Sequence, residues 1–152
     1  MAKFQEVNAR VRSMLTEGWN VRLGNPPETW GEYLIDFEST TLHIRCVQLN
    51  PFRDEEEGAV IVEFMAPILF DVVLSKDLLK WVSMNDEMVF GHVAIQADDD
   101  GVTGTLTCKH TILGDFIDPD ELEWSVATVG YSADRLDDEL KGRFGGKRLS
   151  DL

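Results

Sequence analysis

Cys108 and His110 are two residues apart, so on a strand their side chains leave the same face, and a thiolate beside an imidazole is half of a zinc-type ligand set. The other half is missing. His43 and His92 stand alone on other strand-like stretches, and no Cys-x-x-Cys or His-x-x-x-His spacing occurs. The histidines therefore read as half-exposed or buried strand residues, and Cys46 and Cys108 as interior strand positions, rather than as ligands. The run "QADDDGVTG" crowds three carboxylates together. A calcium loop, however, needs the alternating Asp-x-Asp-x-Asp-Gly register and a closing Glu, so this run reads as a polar hairpin turn. "DEEEG" at 54–58 reads as a solvated turn. No G-x-S-x-G elbow, H-E-x-x-H helix or Walker loop is present. The motifs thus point to no catalytic residue, no metal and no cofactor.

The glycines of "GYSADRLDDELKGRFGG", residues 130–146, raise a further possibility, a phosphate cradle. A phosphate loop needs its glycines after a strand and before a helix N-terminus, whereas Gly145-Gly146 follow a helix. From Asp118 onward the apolar residues Leu122, Val126, Val129, Ala133, Leu136 and Leu140 advance by four, three, four, three and four. At 100° per residue they stay within about 40° of one line, a narrow seam to be laid against the rest of the fold. Asp118, Pro119 and Glu121 supply the N-cap, first helical position and capping-box partner. Lys141 and Arg143 suit the last turn, where cations favour the helix dipole. The glycine pair is a stop signal. Gly130, inside the helix, costs about 1 kcal/mol relative to alanine and marks either a kink or a close packing contact.

Trp124, Ala127 and Tyr131, with the small polar Thr128 beside them, form a second, short stripe roughly opposite the Leu122 seam. Two accounts of it stand open. Its shortness favours burial inside the chain, between the sheet and the N-terminal helix; the alternative is contact with another subunit or a bound peptide.

The elements that must position these residues follow from periodicity. Phe4, Val7, Val11 and Leu15 with Met14 predict an amphipathic first helix that ends near Gly18. "WNVRLGNPPETWGE" predicts a short extended piece and a loop, because Pro26 and Pro27 forbid regular structure. "EYLIDFESTTLHIRCVQLN" alternates as a long or broken strand or a hairpin, and "AVIVEFMAPILFDVV" as a further strand region in which Pro67 marks an edge, a bulge or a break. Ser75 caps a short helix over "KDLLKWVSMN", with Asp77 in its first turn. "MVFGHVAIQA" and "VTGTLTCKHTIL" make a hairpin across "DDDG". The predicted order is α-β-β-β-α-β-β-α, an α+β arrangement in one domain over residues 1–152, a length that suits a single core.

Charge bounds the partners. With 28 acidic and 14 basic residues the net charge is −14, which repels phosphate backbones and anionic lipid heads, so nucleic acid and membrane surfaces are disfavoured and basic partners favoured. Two cysteines do not build a secreted disulfide framework. The amphipathic, charged start "MAKFQEVNARVRSML" lacks an apolar signal core, and no apolar run reaches the roughly 18 residues of a membrane span. A reduced, cytoplasmic setting is the expectation.

In that order, "STTLHIRCVQL", "DLLKWVSMNDEMVFGHVAI" and "DFIDPDELEWSVATVGYSADRLDDELKGRFGG" resemble the class I type III secretion chaperones and the YbjN-like family that shares their fold. The short helix followed by Asn and then by Phe-Gly opening a strand is similar to that family, as are the Ala-Asp of the last helix and the terminal Phe-Gly-Gly. The resemblance spans nearly the whole chain and rests on structural signatures. It implies a twisted antiparallel sheet flanked by helices, a homodimer, and binding of an extended peptide or partner protein rather than catalysis. It carries over no binding residue position by position.

The sequence therefore leads to a non-enzymatic, chaperone-like module that binds an extended or apolar client segment, one with basic flanks given the acidic surface. Candidate contacts are Met65, beside Ala66-Pro67 where an edge would stay unpaired, Trp81, slightly off the Leu78–Val82 line, and Trp124 and Tyr131. Each of these is also a plausible core residue. The alternatives are a regulatory or structural subunit using the last helix for a permanent contact, and an enzyme whose site no motif reveals.

Overall fold

The computed structural model describes residues 2–24, 33–49, 58–85, 88 and 90–152. The elements run α1 (Ala2–Gly18), β1 (Val21–Leu23), β2 (Tyr33–Asp36), β3 (Thr41–Gln48), β4 (Val60–Val73), α2 (Lys76–Met84), β5 (His92–Ala97), β6 (Thr103–Leu113) and α3 (Pro119–Phe144), closed by a 3₁₀ turn at Leu149–Asp151. This is the expected α+β order. The short extended piece becomes edge strand β1, and the 33–48 region resolves into the β2–β3 hairpin. The acidic run at 54–58 and the two prolines at 26 and 27 fall, except for Gly58, outside the described residues.

All neighbouring strands pair antiparallel, in the order β1-β2-β3-β4-β6-β5. The register explains the alternating burial. Ile44 pairs Phe64, which pairs His110, and Cys46 pairs Val62, which pairs Ile112, so these residues share one face. That face, extended by Leu42, Val60, Ala66, Ile68, Leu106 and Cys108, carries the core. Onto it close the stripe Val7, Val11 and Leu15 of α1 and the whole seam Leu122, Val126, Val129, Ala133, Leu136 and Leu140 of α3, all buried. Arg10 fastens α1 to the end of β6, its Nη2 donating to the carbonyls of Gly114 (2.8 Å) and Asp115 (3.1 Å).

Pro67 sits at a register shift between Pro67 and Leu69, so of the three expectations for it the bulge is the one realised. The strand is central, not an edge: Met65 pairs His43 on one side and Lys109 on the other. Met65 itself is paired on both sides, whereas among the described residues the β3 register stops there and Ala66-Pro67 pair only with β6. The bulge absorbs the missing proline N–H locally, and pairing with β6 resumes beyond it. Thr40 Oγ1 donates to the Pro67 carbonyl (2.6 Å).

Caps close the helices as their chemistry dictates. Ser75 Oγ accepts from Leu78 N–H (3.1 Å) at the start of α2, and the Asp118 carboxylate accepts from Glu121 N–H (2.8 Å) at the start of α3. Gly145, with φ of 77°, ends α3 and donates its N–H to the Lys141 carbonyl (2.9 Å). The chain then returns to the sheet, where Lys147 exchanges both backbone hydrogen bonds with Phe70.

Candidate functional site

Helix α3 shows two sides. Its seam is spent on the core, but Trp124 is 65% and Tyr131 59% exposed, so the burial inside the chain that the short stripe favoured is not what the fold does. The reason is geometric. Once Leu122 and its line face the sheet, residues about 180° away point to solvent, and α1 lies beside α3 rather than over its outer side, touching it through the shared core. Ala127 at the stripe's centre is half-buried.

Gly130 settles the other question about this helix. A Cβ built there would lie 2.0 Å from Cζ of Phe37, so the glycine is a notch for that ring, not a kink. From the notch the Phe37 ring meets Tyr131 edge-on, centroids 5.0 Å apart and planes at 87°, and lies 6.1 Å from Trp19. Trp19, Phe37 and Tyr131 thus form a chain of rings from the end of α1, across the β2–β3 turn, to the outer side of α3. The turn is held by polar contacts as well: Asp134 Oδ1 accepts from Ser39 N–H (2.7 Å) and Ser39 Oγ (2.5 Å), and Ser39 Oγ also contacts Asp137 Oδ2.

At the α1 end of this chain of rings a groove of about 190 Å³ opens, lined by Met14, Glu17, Gly18, Trp19, Pro119, Leu122 and Glu123. Reading the sequence does not single out Trp19, Phe37, Met14, Glu17 or Glu123. Trp19 and Phe37 lie 18 positions apart and both lie far in sequence from α3, so no local periodicity links them; the only hint is Gly130, whose cost in a helix asks for a close neighbour.

The other two candidates stand elsewhere. Met65, 9% exposed, lies on the sheet face away from the helical seam, under a shallow cavity of about 240 Å³ bordered by Arg45, Gln96 and Lys109. Trp81 is half-buried on α2 and packs on the core. The fold therefore brings Trp124 and Tyr131 onto one surface and leaves Met65 and Trp81 apart from it.

Of the groups that first suggested chemistry, Cys108 lies in the core, His110 and His43 are half-buried and His92 is exposed. Burial pushes the Cys108 thiol up to about 12, so it is a neutral thiol, with its Sγ 3.8 Å from Met88 Sδ. His110 lies between the rings of Phe64 and Phe90, and burial lowers its pKa, as it does that of His43. The seam-and-sheet core that fixes these groups serves packing, while the exposed aromatic surface is built by α1, the β2–β3 turn and α3 together. A family model described as T3SS (YopN, CesT) and YbjN peptide-binding chaperone matches residues 5–152.

The chain belongs to this family. The match takes in every strand, both later helices and nearly all of α1, so the peptide-binding chaperone family and the observed six-stranded fold refer to the same residues. A comparison with curated proteins gives no match. Among the described residues no helix is long and apolar enough to cross a membrane.

Proposed function

We propose that the chain is a single non-enzymatic domain that binds an extended or apolar segment of a client protein on the outer side of α3, with Trp124 and Tyr131 as its main contacts. The observation that carries this reading is the exposure of two large aromatic rings, seven residues apart on one helix, in a chain whose family binds peptides. Aromatic anchors supply large apolar contact area with a polar tip. Asp120, Glu123 and Asp138 are exposed on this part of α3, and they favour a client with basic residues flanking its apolar ones. Trp81 and Met65 are secondary contacts in this reading, and a homodimer is the assembly that the family resemblance implies.

A peptide array covering basic and acidic, apolar and polar sequences tests it. Wild-type protein is expected to retain peptides that combine aromatic or aliphatic residues with Lys or Arg. The Trp124→Ala, Tyr131→Ala double variant should lose at least about tenfold in affinity, while its melting temperature falls by no more than about 2–4 °C, the size of the lost Tyr131–Phe37 ring contact. Unchanged binding by that variant overturns the assignment of the surface.

A further inference from the structure

The groove between the end of α1 and the start of α3 has features that the exposed rings alone do not explain. Met14, Trp19, Pro119 and Leu122 give it apolar walls, and Glu17 and Glu123 place a carboxylate on each helix at its border. Among the described residues neither carboxylate takes part in an ion pair or side-chain hydrogen bond. The last turn of α1 contains no basic residue, and the negative end of its dipole meets the positive end of the α3 dipole at this groove, so the two helix ends offset each other. The two carboxylates therefore set the negative potential at the border of an apolar cleft. For scale, a cavity of about 150 Å³ lined by aliphatic side chains accepts a benzene ring, so a groove of about 190 Å³ has room for one leucine- or phenylalanine-sized side chain. Trp19 belongs to the groove and also to the chain of rings that leads through Phe37 to Tyr131, which makes the groove continuous with the surface proposed above.

The geometry points to a specificity pocket for one kind of client element: an apolar side chain seated against Met14, Trp19 and Leu122, next in sequence to a Lys or Arg whose cation sits between Glu17 and Glu123. This inference rests on the peptide-binding role and names what the peptide must contain. Acidic or uncharged neighbours of the apolar residue are disfavoured by the same field, so the pocket selects as well as binds.

The test uses the full chain and four labelled synthetic peptides of one length and frame, each with a tryptophan-free apolar stretch and differing only in one central pair: Leu-Lys, Leu-Glu, Leu-Gln or Ser-Lys. Binding is read by anisotropy, and the site by the NMR signals of the Met14 methyl and the Trp19 indole. The Leu-Lys peptide should bind tightest and move both signals. Leu-Glu should be weaker by about fivefold or more in low salt, a preference that shrinks in 0.5 M NaCl as screening removes it. Ser-Lys should be weaker by at least about tenfold through loss of apolar burial. The Glu17→Gln, Glu123→Gln double variant should lose most of the preference for Leu-Lys over Leu-Gln, with its melting temperature preserved. Equal binding of Leu-Lys and Leu-Glu by the wild type, or unmoved Met14 and Trp19 signals on binding, overturns the pocket. If in that case the Trp124→Ala, Tyr131→Ala variant still loses binding, the proposed surface stands without the pocket. Failure of every peptide to bind overturns both.

Discussion

Asp137 is fully buried, with Oδ2 against Ser39 Oγ and Oδ1 without a hydrogen-bond partner. Ser39 has one hydroxyl proton and two carboxylates to satisfy, Asp134 and Asp137. Burial, with Asp138 and Asp134 nearby, raises the pKa of Asp137 against the opposing pull of the Ser39 hydrogen bond and Arg148. An acid whose folded pKa is raised favours the fold in its neutral form. The contribution is therefore complete below the ordinary aspartate value and is lost as pH rises through the folded value. Asp137→Asn is expected to raise the melting temperature at pH 7 by about 3 °C, the size of roughly 1 kcal/mol of relieved desolvation, and the gain should fade toward pH 4; a loss of stability at pH 7 would show that the ionised form is the one the fold holds. Cys108 yields a second expectation at this scale. With its thiol pushed up to about 12 and its side chain in the core, it should react with a disulfide reagent at pH 8, in a Cys46→Ser variant that leaves it the single thiol, roughly a thousandfold more slowly in the native chain than in denaturant, read by absorbance of the released chromophore; comparable rates would place Cys108 at an accessible site. The strand alternation places Cys108 inside, and that much is legible locally. The shared proton of Asp137 is not, because Ser39 lies 98 positions away.

Among the elements, α3 was the most legible. Its seam, its Asp118 cap, its cationic last turn and its glycine stop are all local signals, and each occupies the position its chemistry requires. Its outer side was not. An i, i+3, i+7 aromatic stripe reads the same whether a neighbouring helix covers it or solvent does, and only the placement of α1 beside α3 decides. The β2–β3 turn is similar: "ESTT" announces a turn, but nothing nearby says that Phe37 enters a notch in α3. Gly130 permits a direct test of that contact. In the wild-type background Gly130→Ala should destabilise the chain by about 1–3 kcal/mol through overpacking against Phe37. In a Phe37→Ala background the same change should stabilise by about 1 kcal/mol, the helix propensity of alanine over glycine. Chemical denaturation of the four proteins reads the sign reversal, and equal effects in both backgrounds would mean that the ring and the glycine do not meet.

On the scale of the whole molecule, a net charge of −14 is spread over 152 residues. Several exposed ion pairs, among them Arg22–Asp36 (2.6 Å) and Lys147–Asp71 (3.5 Å), are of the screened kind that contributes little. Self-repulsion therefore outweighs them, and the melting temperature at pH 7 should rise by roughly 3 °C or more between 0.02 and 0.5 M NaCl; a fall with salt would show that the ion pairs dominate. The amino-acid sequence by itself determined the element order, the core seams of the first and last helices, the acidity and the family resemblance, because each depends on neighbours within a few residues or on composition. The tertiary structure alone decided that β4 is central despite Pro67, that Met65 is paired on both sides, that Trp19, Phe37 and Tyr131 meet, and that Trp124 stays in water. These are outcomes of packing between segments tens of residues apart, where sheet register and helix placement, rather than local pattern, determine which side chains are covered.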